Sequence, residues 1–165
     1  MVKNLLLIRH ADAQMPQRNE RDFERRLSEK GKSESALLGE YLQRLPFKID
    51  TIYTSPSVRT LQTCAEIIQQ LEISPRIISS EEYYEATRNV MMAAVNRVDN
   101  IFQNVAILAH NPSISHLYEY LTGDSQGGFV TAGCAWLQVS ADQWEEVSGG
   151  MAETKDYYYP GMNSK

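Results

Sequence analysis

The feature that most constrains this chain is the run Leu5-Leu6-Leu7-Ile8 together with the pair that ends it, Arg9-His10. Four consecutive apolar residues read as a strand buried on both faces, the kind found inside an α/β sheet. A second run, Val105-Ala106-Ile107-Leu108-Ala109, has the same character and stops at His110. In open α/β sheets, ligands bind at the carboxyl ends of strands, where the loops begin. An Arg beside a His there points to an anion site that holds a nucleophile or a base. The competing reading makes the pair the solvated end of a strand.

The length of 165 residues fits a single domain, 1–165, with the tail from about 150 as an extended arm. The formal net charge of -5 argues against nonspecific nucleic-acid binding. No apolar run approaches the ~20 residues needed to span a membrane. Residues 1–10 are interrupted too early for a signal peptide. Cys64 and Cys134 lie far apart without CxxC spacing, so they read as core thiols rather than a disulfide or metal pair. The expectation is a cytoplasmic protein with no membrane or nucleic-acid partner.

A loop of about 17 residues follows His10. Connections this long are functional or mobile. Its second half, Arg18 to Arg26, is densely charged with both signs. It reads either as a solvated, salt-bridged loop or as a flap offering Asp22 as an acid and one or two of Arg18, Arg21 and Arg25 as anion contacts. Ser28 then caps a helix carrying Leu38, Leu42 and Leu45. Strand Ile49–Thr54 runs into Ser55-Pro56, read as cap and first helical residue, with Val58, Leu61, Ala65, Ile68 and Leu71 as the expected buried stripe. Arg59 sits in the first turn. The helix dipole disfavours a cation there, but the side chain leans back toward the N-terminal anion site.

Arg76-Ile77-Ile78 is a short strand, followed by Glu81, Glu82 and Glu85 with Tyr83 and Tyr84. Thr87 caps a helix with a Met and Val core stripe. Asn111 is the expected cap of the helix after His110, with Pro112 at its first position. Cys134–Val139 and Trp144–Val147 read as a closing hairpin.

Arg9, His10, Arg59 and His110 suit phosphoryl transfer. A neutral imidazole attacks phosphorus and becomes phosphohistidine. Guanidinium forks and a second His stabilise the charge on the equatorial oxygens. Nearby Arg charges favour the neutral, nucleophilic His10. Alternation points residues 9 and 10 of a strand to opposite faces, so both reach one site only if the strand ends there and the chain turns. The rival reading of the histidines, a metal site, lacks ligand spacing among His10, His110 and His116. No Gly-rich P-loop is present.

Leu7-Ile8-Arg9-His10-Ala11-Asp12-Ala13 resembles the signature of the histidine phosphatase (phosphoglycerate-mutase-like) superfamily. Leu27–Gly31, Ser55–Thr63 and Ala109–Pro112 are similar to its later blocks, in the same order. The short length and these variants look most like SixA-type phosphohistidine phosphatases. The resemblance implies a three-layer α/β/α sandwich with a mostly parallel sheet, and a phosphatase without metal or other cofactor. It implies His10 as nucleophile and Arg9, Arg59 and His110 as the phosphate pocket. From the loop and strand-end readings, Arg18, Arg25 and Asn111 are further candidate phosphate contacts. For the proton donor the resemblance leaves two candidates, Asp22 in the first loop and Glu85 after the third strand. Between that strand and Val105 only one helix fits, which leaves no room for a large cap. The implied partner is a phosphohistidine-bearing protein. The alternatives are a small-molecule phosphoester phosphatase or mutase, and a non-catalytic phosphate-binding adaptor.

Overall fold

The computed structural model describes residues 2–125 and 127–162. Its strands are β1 (Lys3–Arg9), β2 (Thr51–Thr54), β3 (Arg76–Ser79), β4 (Asn104–Ala109), β5 (Cys134–Val139) and β6 (Ala152–Tyr158). Its α-helices are α1 (Glu29–Gln43), α2 (Val58–Gln69), α3 (Arg88–Asn96) and α4 (Ser113–Thr122). The strands form one sheet in the order β3-β2-β4-β1-β5-β6. β1, β2, β3 and β4 are parallel, and β5 and β6 complete one side antiparallel.

Alternation along the two apolar strands builds the layers. Leu5, Leu7, Val105 and Ile107 join the α3 and α4 residues Met91, Val95, Leu117 and Leu121 in one core. Leu6, Ile8, Ala106 and Leu108 join Leu38, Leu42 and Ile67 from α1 and α2 in the other. The four leucine and isoleucine side chains of β1 are fully buried, each stabilising the fold by about 1.5–3 kcal/mol. The expected α/β/α sandwich is therefore observed, and Cys64 and Cys134 are free buried thiols within it.

Ser28 and Thr87 cap α1 and α3 as expected, accepting from the Gly31 and Val90 amides. Three local expectations give way. The strand paired with β5 is β6, because residues 144–146 form a 3-10 turn that buries Trp144, whose indole donates to Phe102 O. The tail thus adds a strand to the sheet. The helix after His110 begins at Ser113, with Pro112 at the cap; Asn111 instead bonds Phe129 O and Ser115. In α2 the cap is Ser57, and the buried face is Arg59, Thr60, Thr63, Cys64 and Ile67. Leu61, expected inside, is 41% exposed. Thr60 and Thr63 bond main-chain oxygens of Ser55, Ser57 and Arg59, so this polar face is satisfied inside.

No helix among the described residues is long and apolar enough to cross a membrane.

Candidate active site

Sheet register brings the two histidines together. β1 pairs with β4 so that Arg9 lies beside Ala109, which makes His10 and His110 the next residues on adjacent strands. Their rings sit 5.1 Å apart. The strand ends at Arg9, and the chain then turns. The His10 amide donates to Ala109 O, and the Ala132 amide donates to both Arg9 O and His10 O. Leaving the strand at this point lets consecutive residues line one cavity of about 440 Å³. Its wall includes Arg9, His10, Arg59, His110, Asp22 and Arg25. It lies at the carboxyl ends of β1, β2 and β4, beside the N-termini of α2 and α4, where an α/β sheet receives an anion.

Hydrogen-bond partners fix both imidazole tautomers. His10 Nδ1 lies 2.7 Å from Ala11 O, so it carries the proton and donates. Nε2 is then the unprotonated nitrogen, and its lone pair accepts from Arg59 Nε at 3.3 Å. His110 Nε2 donates to Ser55 Oγ at 2.8 Å, and its Nδ1 accepts from Arg59 Nη2 at 3.4 Å. Burial is the main reason that His10 is lowered to about 4, with Arg59, Arg9 and Arg25 adding to it against the Ala11 bond. Burial also lowers His110 to about 3, helped by His10 and Arg59. Both rings are neutral at neutral pH. The arginines contribute to the shift, as the sequence led us to expect, but burial is the larger cause.

Arg59 is 6% exposed and holds the site together. Besides the histidines, its Nη1 donates to Asp22 O at 2.7 Å and its Nη2 to Asp22 Oδ2 at 3.0 Å. Asp22 also accepts from Tyr84 Oη at 2.8 Å and Arg25 Nη1 at 3.0 Å. Burial would raise this carboxyl, but the bonds from Tyr84, Arg25 and Arg59 outweigh it and hold Asp22 far below the usual carboxylate range. Arg9 Nη1 donates to Phe129 O at 2.8 Å. Its buried Nε has no partner among the described residues. A buried N–H left open beside an anion cavity is a donor awaiting an acceptor.

Of the other expected residues, Glu85 lines the cavity, exposed and at φ 55°. Asn111 lines it with both ends of its amide already engaged. Arg25 reaches it, and its Nε donates to Gln14 O. Arg18 does not line the cavity, and Arg21 pairs with Glu24 instead.

Several supports escaped sequence reasoning. Tyr84 holds Asp22 and sets its ring edge on His110, 5.4 Å between centroids. Thr63 Oγ1 donates to Arg59 O and accepts from Ala11 N, joining α2 to the turn after His10. Glu34 accepts from the Asp12 amide and from Thr131 Oγ1 across the mouth. Thr63 and Ser55 stood inside a recognisable block. Glu34 sat in an ordinary charged helix and gave no signal.

Residues 5–82 match the sequence profile of the histidine phosphatase superfamily, branch 1, a span that holds Arg9, His10 and Arg59. That stretch of the chain is similar to the histidine phosphatase superfamily. The match supports a phosphatase whose chemistry centres on a histidine. The fold is similar to that of the SixA protein of Agrobacterium tumefaciens, at TM-score 0.84 and 24% identity over 96% of this chain and 98% of that one. The SixA protein of Nakamurella multipartitia matches at TM-score 0.83 and 24% identity, over 98% of each chain. Both are named for phosphohistidine phosphatase activity. An uncharacterized protein of Mycobacterium tuberculosis is 26% identical over 163 residues, covering 93% of this chain and 99% of its own.

Proposed function

We propose that this protein hydrolyses phosphohistidine on a partner protein through a phospho-His10 intermediate. The observation that carries the reading is the state of Asp22, an ionised carboxylate clamped by Arg59, Arg25 and Tyr84 rather than a protonated acid. A phosphoester expels a poorly leaving alkoxide and needs a placed acid. A phosphorylated imidazole that carries its second proton leaves as neutral imidazole and needs none. The SixA names of the structural neighbours and the short β3–α3 connection point the same way.

In the first step the His10 Nε2 lone pair attacks phosphorus. The bond from phosphorus to the substrate nitrogen breaks, and that electron pair leaves with the imidazole. Arg59 and the open Arg9 Nε–H donate to the equatorial oxygens, where the charge spreads. His10 keeps its Nδ1 proton on Ala11 O throughout. In the second step water attacks phospho-His10. The Nε2–P bond breaks, and the hydroxyl and proton of water depart as dihydrogen phosphate, which restores neutral His10.

The test is phosphate release from a protein phosphorylated on histidine, with and without EDTA, beside an aryl phosphate and the His10→Ala variant. Expected are EDTA-insensitive release, loss in the variant, acid-labile phosphate on His10 and slower ester cleavage. Faster cleavage of the ester would overturn the substrate, and Glu85 on the cavity wall would then be the acid to examine. Turnover with no phosphate on His10 would overturn the mechanism.

A further inference from the structure

Arg59 has five N–H donors, and the free protein spends most of them on itself. One serves His10, one His110 and two Asp22. The Asp22 carboxylate also takes Arg25 and Tyr84, so it is bound as an incoming anion would be: by two guanidinium groups and a hydroxyl, on the wall of the phosphate cavity. A phosphoryl group that uses Arg59 as a fork has to displace it.

We propose that Asp22 is a resident competitor for the phosphate seat, a specificity-determining residue that discriminates against free phosphate. The proposal rests on the phosphatase reading above. Several features support it. The carboxylate is delivered by residues 22–24, a single 3-10 turn whose flanking extended segments tie to the body through the Ala13–Leu27 bridge. This short tether makes the competition intramolecular, with an effective concentration on the order of millimolar or higher. The Asp22 side chain is 53% exposed, so each bond is weakened by solvent and the clamp is reversible. Inorganic phosphate offers only its charge and oxygens in exchange for the clamp. A phosphorylated side chain on a protein adds contacts around the mouth and pulls the balance over. After hydrolysis the same competition favours expulsion of the product, because Asp22 returns to Arg59, Arg25 and Tyr84.

Tyr84 is the positioning partner. Its hydroxyl donates to the same Oδ2 that Arg59 holds, and its ring packs edge-on against Phe23, next to Asp22 in sequence, at 5.1 Å between centroids. Removing the hydroxyl loosens the competitor without touching either histidine bond to Arg59.

The experiment measures binding rather than turnover. Inorganic phosphate and tungstate are titrated by calorimetry at neutral pH into wild type, Asp22→Asn, Tyr84→Phe and Glu85→Gln. Glu85 is a second carboxylate of the cavity and separates the clamp from a general change in charge. Asp22→Asn is expected to bind both anions about fivefold or more tightly, the scale of one half-exposed charge-assisted competitor removed. Tyr84→Phe is expected to tighten binding by a smaller factor, with Glu85→Gln near wild type. Unchanged or weaker binding in Asp22→Asn overturns the proposal, as does equal tightening in Glu85→Gln. If His10 never becomes phosphorylated while these affinities shift as expected, the phosphatase mechanism fails and the competitor stands.

Discussion

Replacing Gly31 with Ala tests the packing beneath the site, because helix propensity and packing predict opposite signs. Ala is preferred over Gly within a helix by about 1 kcal/mol, and Gly31 lies in the first turn of α1. A Cβ on Gly31 would stand 2.0 Å from Asp12 O and 2.9 Å from Asp12 C, both main-chain atoms. Asp12 cannot retreat freely. Its carbonyl accepts from the Ser28 amide at 3.0 Å, its amide donates to Glu34 at 2.9 Å, and its carboxylate accepts from Ser28 Oγ at 2.6 Å. Overpacking costs about 1–3 kcal/mol and a broken bond about 1 more. Against the propensity gain, the net loss is about 2 kcal/mol, a fall in Tm of about 4–8 °C for a chain of this size. Asp12 is two residues past His10, so a shift of the turn also misplaces the imidazole, and displacements near 1 Å cost on the order of 10²-fold in rate. Calorimetric melting and phosphohistidine turnover on Gly31→Ala read both effects. A Tm equal to or above wild type would refute the packing argument outright.

Two further outcomes follow from the geometry. Arg59→Lys removes the planar fork that spans both histidines and Asp22, and kcat is expected to fall about 10²-fold or more, measured by single-turnover phosphate release. The buried histidines also make stability depend on pH. Well above pH 6.5 both are neutral in the folded and unfolded chain and add no slope. As pH falls from 6.5 toward about 4, the unfolded chain takes protons that folded His10 refuses, so stability falls. At pH 5 the loss is at most about 2 kcal/mol per histidine, which urea melts of wild type and His110→Gln at pH 5 and pH 7 resolve.

The parts of the fold that declared themselves were those in which one physical demand acted alone. The β1 and β4 runs are buried on both faces, so their apolar continuity had one reading, and the strand-end residues followed. The caps at Ser28 and Thr87 are local chemistry and were equally plain. Helix α2 was misread because two demands met there. Periodicity favoured an inward face of Val58, Leu61 and Ile68, but the site needs Arg59 inside. The helix is rotated accordingly, and threonine hydroxyls satisfy the polar face. The Asp22 clamp was half visible. The loop's charge density pointed to Asp22 and Arg25, but Tyr84 lies 62 residues away and no local pattern could pair them.

The rotation of α2 also bears on why one arginine serves so many partners. A cation in the first turn of a helix opposes the dipole and loses stability unless an anion answers it. In the free protein the Asp22 carboxylate is that anion, and in the proposed turnover the phosphoryl group takes its place. The same side chain that makes the resting fold tolerable therefore competes with substrate. Removing Asp22 should tighten the site for anions and leave Arg59 less well compensated when the site is empty. The two effects are linked through one guanidinium. Bound phosphate should accordingly stabilise Asp22→Asn against melting more than it stabilises wild type, since in wild type the ligand replaces an anion already present.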